Sequence, residues 1–237
     1  MDRRQFLFSG TTAAVMASVP AMTLSQLSIA SGEVGMTRLT ESELSNMGLL
    51  TRNMDIVSAD GGVVTVPMKA QVARRYQGQV YVWFETDQAI RVYDQSGNSL
   101  LTVSLGQSVA VQDFAVDSYG NLFVLMAGSH EVLWLDSQGA VLGSIGRFGT
   151  ELPEQLNGPV SLTIDALDNL HVLNAGSRTV KVFSGSGVYL HDYGQSRWLS
   201  ERRLSSVDGT SQVQVTGGDK NNSQWLFSLD GHLISGS

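Results

Sequence analysis

Two aspartates, Asp117 and Asp165, open matching Asp-x-x-(Gly/Asp)-Asn segments in separate parts of the chain. Carboxylates recurring at equivalent positions are what a divalent-cation site built from several structural units would need. A plainer role also accounts for both. Aspartate at the start of a tight turn accepts hydrogen bonds from backbone amides, while Gly and Asn tolerate positive φ further on. The four histidines, His130, His171, His191 and His232, include no i, i+2 or i, i+4 pair and no metal-ligand pattern with a nearby carboxylate. The chain has no Cys, which removes thiolate catalysis, disulfides, iron–sulfur ligation and Cys-based zinc sites together. There is no serine nucleophile elbow and no phosphate-binding Gly loop. The residues therefore predict no catalytic group, no metal ligand and no cofactor-binding residue.

The elements that carry these residues are repeated. Residues 114–146 shifted by 48 fall on 162–194, and twelve of the 33 positions are identical, among them Ala127-Gly128-Ser129 on Ala175-Gly176-Ser177 and Gly139 on Gly187. A shift of 42 brings in an earlier copy, with Gly120 on Gly78 and Asp136 on Asp94. Each copy parses into four short apolar or alternating strands separated by turn chemistry; in the best copy they are 114–116, 122–125, 132–135 and 140–145. A weaker copy closes the chain at 212–215, 224–229 and 232–234. Met54–Val57, a turn at Ser58–Gly62 and Val63–Val66 read as the last two strands of a further unit. One such sheet cannot bury both faces alone, so neighbouring units must stack, which predicts an all-β propeller of four-stranded blades.

Within the repeat, the loop residue His130 aligns with Arg178, and with Asn174 the two are expected on one rim, either simply solvated or facing a ligand or partner. Trp83 and Trp134 lie on predicted strands and read as core. Trp198 lies in an irregular stretch, 195–211, beside Arg197, Arg202 and Arg203, a composition that suits a protein interface. The pairs Arg74-Arg75 and Arg202-Arg203 otherwise read as solvated strand ends.

Composition agrees with many short strands. Charged residues make up 16 %, with 25 Gly and only 4 Pro, against about 25 % charged in an average domain. The net charge of −7 supplies no phosphate-neutralising surface, so nucleic acid is not expected as a partner.

Residues 1–21 combine a basic start, an apolar run and a small-residue end at Val19-Pro20-Ala21, the three parts of an export signal. Arg3-Arg4 followed by Gln5-Phe6-Leu7 resembles the bacterial twin-arginine signal, which a receptor reads as an address. Cleavage is expected after Ala21, with Ala30 as the alternative. Losing residues 1–21 leaves 13 basic and 21 acidic residues, a net charge of −8. The mature chain is expected in the periplasm without a membrane span, either free or membrane-associated through a partner or an uncleaved signal. Twin-arginine substrates typically travel folded, with a cofactor or beside a subunit that carries one; this chain has no cofactor motif, so the cofactor is expected on a companion.

The pattern apolar-Asp-x-x-Gly-Asn-apolar, a short loop, an apolar strand, Asp-x-x-Gly and a closing Gly is similar to the NHL repeat. It covers about residues 54–234, most clearly 110–194. The resemblance implies a propeller of about four to six blades, since the family usually forms six and 54–234 holds about four; either a blade is too diverged to see in 31–66, or the ring is small, or an open arc is completed by another chain. Residues 31–53 are then a linker or a diverged blade, and 54–237 the propeller. The family tends to have Asp after the second strand and Asn-x-Arg before the third, which this chain lacks. Three functions follow: a non-catalytic interaction or accessory subunit of a co-exported redox or envelope complex, a small-ligand-binding propeller, and a metal-dependent lactonase- or lyase-like enzyme.

Overall fold

The computed structural model describes residues 36–58, 61–105, 109–194, 203–207, 212–217 and 223–236. All of them fall within the compact unit 31–237. Arg3, Arg4, Phe6, Leu7, Ala21, Trp198 and Arg202 lie outside them.

Four antiparallel sheets follow one another along the chain. The first holds β3 (Val63–Tyr76), β4 (Gln79–Phe84), β5 (Ala89–Tyr93) and β6 (Ser99–Ser104). The second holds β7 (Val111–Val116), β8 (Leu122–Met126), β9 (Val132–Leu135) and β10 (Val141–Ile145). The third holds β11 (Pro159–Ile164), β12 (Leu170–Asn174), β13 (Thr179–Phe183) and β14 (Tyr189–Tyr193). The fourth holds β15 (Arg203–Ser206), β16 (Gln212–Thr216), β17 (Gln224–Ser228) and β18 (Leu233–Gly236). In each, neighbours pair in sequence order with the first of the four strands toward the axis; in the first sheet a short additional strand, residues 37–38, pairs with the inner edge of β3. The first strands of successive sheets meet one another, β3 on β7, β7 on β11 and β11 on β15. This is the radial arrangement of propeller blades.

The turns explain the register. Asp94, Asp117, Asp136 and Asp165 each accept, through Oδ1, the amides two and four positions on. The last glycine of the turn between third and fourth strands has a second reason to be glycine. A Cβ at Gly139 would lie 2.8 Å from Val103 Cγ1, at Gly187 3.1 Å from Ile145, and at Gly231 2.5 Å from Tyr193. Each turn thus packs against the outer strand of the preceding blade.

That regularity shows what stands in front of the first blade. A Cβ at Gly97 would meet the Met47 carbonyl, 2.9 Å away, so the N-terminal segment takes the place of a preceding blade. The segment contains β1 (Thr37–Arg38), α1 (Glu41–Asn46) and β2 (Thr51–Val57). Thr40 caps α1: its Oγ1 accepts from Glu43 N while the Glu43 carboxylate accepts from Thr40 N, a capping box. Leu39, Leu44 and Leu49 then bury against Val80, Val82, Phe84 and Tyr93. The hairpin expected at 54–66 forms, but not as the end of a separate blade. Its second strand is continuous with the innermost strand of the first blade, and β2 pairs along the outer half of β3.

The ring is not closed. One buried cluster joins the first three blades and another the third and fourth; none of these clusters joins the fourth to the first. The free face of the fourth blade carries Gln212, Gln214, Thr216, Gln224 and Ser228 beside Leu226, since Val213, Val215 and Phe227 turn the other way into the core.

Candidate functional site: a loop face over a filled hub

In a propeller the inner strands present an unpaired edge to the axis, and those backbone groups need partners. Here side chains from the neighbouring inner strand supply them. Asp113 on β7 accepts from Leu162 N on β11 (3.0 Å); Ser161 Oγ accepts from Leu204 N on β15 (3.0 Å); Thr163 Oγ1 accepts from Ser206 N (3.1 Å). Arg74 on β3 completes the set. Its guanidinium donates to the carbonyls of Leu162 (2.8 Å) and Leu204 (3.0 Å), and Nη2 lies 2.7 Å from both oxygens of Asp113. One side chain therefore touches all three other blades. Arg74 and Asp113 are both fully buried. Arg74 is no solvated strand end, as its place in an Arg-Arg pair suggested; it is the hub.

Burial alone would raise the Asp113 pKa. The Arg74 and Arg38 charges and the Ser161 bond outweigh it and hold the carboxyl below the ordinary aspartate value. β1 closes the hub on the remaining side: it pairs with β3, and Ser206 N donates to the Met36 carbonyl (3.1 Å).

Asp117 and Asp165, the pair whose recurrence suggested a metal, are engaged in their turns. Each gives Oδ1 to two amides and Oδ2 to the amide side chain of Asn121 or Asn169. Asp165 also meets His171 Nε2 at 3.1 Å, and His171 Nδ1 lies 3.0 Å from the Tyr193 hydroxyl. This Asp–His–Tyr chain has the order of a proton relay, but His171 is fully buried and Tyr193 nearly so. No substrate reaches it, and it serves to tie the end of β11 to β12 and β14. Sequence reasoning missed it because its three members sit on different elements and form no local motif.

Strand alternation sorts the loops into two faces. Turns between first and second and between third and fourth strands lie at one end; second-to-third turns and the crossovers between blades lie at the other. His130, Asn174 and Arg178 lie at this second end. Their roles differ. Asn174 is buried; its Oδ1 accepts from Asn157 N (2.7 Å) and its Nδ2 donates to Ser177 Oγ (2.7 Å). His130 Nδ1 accepts from Gly158 N (3.1 Å). Both pin the 146–158 crossover to the rim. Arg178 is exposed, at φ +59°. Arg203 is not in an irregular stretch: it begins β15 and pairs with Thr216.

The crossover is pinned from below as well. Leu156 is fully buried, Lys181 Nζ donates to the Pro153 carbonyl (2.7 Å), and Gln155 Oε1 accepts from Glu151 N and Leu152 N (both 2.9 Å). This rigid loop exposes Phe148 at 65 % and Leu152 at 47 %, with the His130 ring 4.6 Å from that of Phe148. An apolar pair on a rigid support is missing from the sequence-based candidates, because no repeat partner marks it.

No family model and no curated protein matches the chain. Among solved structures it is similar to a streptogramin B lyase (13 % identity, 78 % of this chain and 58 % of that one, TM-score 0.49). It is also similar to virginiamycin B lyase from Staphylococcus aureus (9 %, 78 % and 62 %, 0.49) and to Kuenenia stuttgartiensis hydrazine synthase (15 %, 68 % and 46 %, 0.47). The chain spans less than two thirds of the length of each of these three. Its own four radial four-stranded sheets make it a β-propeller with an open ring.

Proposed function

We propose that this chain is an exported, non-catalytic propeller of NHL-like blades that acts as an accessory or scaffold subunit, docking a protein partner through its crossover face. The observation that carries the reading is the filled hub. A propeller that binds or transforms a small molecule on its axis needs a channel there; this axis is occupied by Arg74, Asp113 and the side chains that satisfy the inner strands. What the crossover face offers instead is Phe148 and Leu152 on a pinned loop, with Arg147 and Arg178 on the same face. Rigid apolar anchors lose little entropy on docking. Residues 1–21 serve as a twin-arginine signal in this reading, residues 54–237 form the repeat domain, and the mature chain works in the periplasm beside a co-exported redox or envelope complex.

The test is purification of the tagged chain from its native envelope in mild detergent. A stoichiometric partner is expected, and F148D/L152D should lose it while melting at the wild-type temperature. A chain that purifies alone, or a variant that keeps its partner, overturns the assignment of this face.

A further inference from the structure

A second feature lies where β2 of the N-terminal segment meets the first blade, away from the crossover loops. Arg52 of β2, Arg91 and Tyr93 of β5, and the 97–99 segment enclose an open cleft of about 350 Å3, lined also by Asn53 and Asn98. The volume is at the low end of that of small-molecule sites, and the cleft is shallow and open to solvent.

Its charge is unusual for an acidic chain. Arg91 Nε is bound to Asp87 Oδ2 (2.6 Å). Arg52 is in no ion pair among the described residues. It donates through Nη2 to the Gly97 carbonyl (2.7 Å) and lies 5.2 Å over the Tyr93 ring. Its Nε is buried and has no protein partner. The nearest acid on the turn, Asp94, gives Oδ1 to Ser96 N and Asn98 N and Oδ2 to Asn98 Nδ2. The guanidinium is held by the Tyr93 ring and hydroxyl and by one carbonyl, and no carboxylate among the described residues pairs with it, so its positive charge is left without a counter-charge. Asn53, Asn98 and Ser99 add neutral polar groups but no negative charge.

We infer that this cleft binds an oxyanion, the carboxylate or phosphate group of a small molecule, with Arg52 as its principal donor, Arg91 as the second cation and Tyr93 as the platform that holds Arg52 in place. The cleft is lined by the first blade and by β2, so its occupant would also tie the N-terminal segment to the propeller.

Titration of the purified full chain with citrate and, separately, inorganic phosphate tests this, read by calorimetry and by the NMR resonance of Arg52 Nε–H. Saturable binding in the millimolar range or tighter by at least one probe is expected, with a shift of that resonance. Citrate alone would assign a carboxylate, phosphate alone a phosphate. R52Q should weaken binding about tenfold or more, equivalent to about 1.4 kcal/mol. K69Q, which removes the same charge from an exposed residue paired with Glu41, should leave it unchanged. If R52Q does not fold, R91Q tests the opposite wall with the same expectation. No saturable binding of either probe, or equal weakening by R52Q and K69Q, overturns the site. The docking assignment does not depend on this result, because F148D/L152D leaves the cleft intact.

Discussion

Replacing Asp113 by alanine is expected to destabilise the fold by about 3–5 kcal/mol, the range for removing one partner of a buried ion pair. Domains are commonly stable by only about 5–15 kcal/mol, so the variant should unfold at far lower urea, with the slope unchanged if the transition stays two-state. The size follows from what is lost at once. Arg74 keeps its carbonyls but loses its counter-charge; Leu162 N and Ser161 Oγ lose their acceptor in a place water does not reach. R74M should cost a similar amount, by freeing Asp113 and the Leu162 and Leu204 carbonyls. The double variant R74M/D113L should cost less than the sum of the singles, because neither charge is then buried alone. An additive result would mean that the pair does not organise the hub. pH gives an independent reading. Asp113's folded pKa lies below its unfolded value of about 3.9, so the stabilisation is full above that pH and is lost as pH falls through the folded value. Wild type should therefore lose stability below about pH 4 more steeply than D113N, which has no proton to take up there.

Changing Arg3 and Arg4 to lysine is expected to reduce export of a reporter carrying residues 1–35 to background. Both residues keep their positive charge, so a signal read only for charge would survive. A receptor that recognises the guanidinium forks loses planar, bidentate contacts that an ammonium cannot make. The wild-type fusion should reach the periplasm as a shortened product cut after Ala21, and should stay in the cytoplasm, uncut, in a strain lacking the twin-arginine translocase. Equal export of the Lys-Lys version, or export without the translocase, would refute the signal assignment and with it the argument for a co-exported companion.

Much of the blade plan was legible because turns declare themselves locally. Asp94, Asp117, Asp136 and Asp165 bond amides two and four positions away, so the motif and its structure share one window of sequence. The closing glycines were visible too, although the reason for Gly139, Gly187 and Gly231 is partly a neighbour in the preceding blade. The inner strands were harder. Residues 203–206 read Arg-Leu-Ser-Ser, too polar for a strand by pattern, because at the axis the polar side chains are there to cap the neighbouring backbone. Arg74 and Asp113 were unreadable for the same reason: each finds its partner on another blade, while in the sequence an arginine beside Arg75 and an aspartate beside Gln112 look like solvated positions. The N-terminal cap was hidden because α1 is a short helix, Glu41–Asn46, with no counterpart in the repeat. Of the rim residues, His130 and Arg178 are paired by the alignment; that His130 and Asn174 pin a loop, and that the loop exposes Phe148, depended on the fold.

The claim that this propeller works through its crossover face is tested most directly by site-specific photo-crosslinking in the native envelope. A photoreactive residue at position 148, on the exposed tip of the pinned loop, should give one adduct of defined mass. The same residue at Gln138, in an exposed turn at the opposite end of the second blade, should give none. Adducts of equal yield at both positions, or none at position 148 with the protein exported and folded, would contradict it.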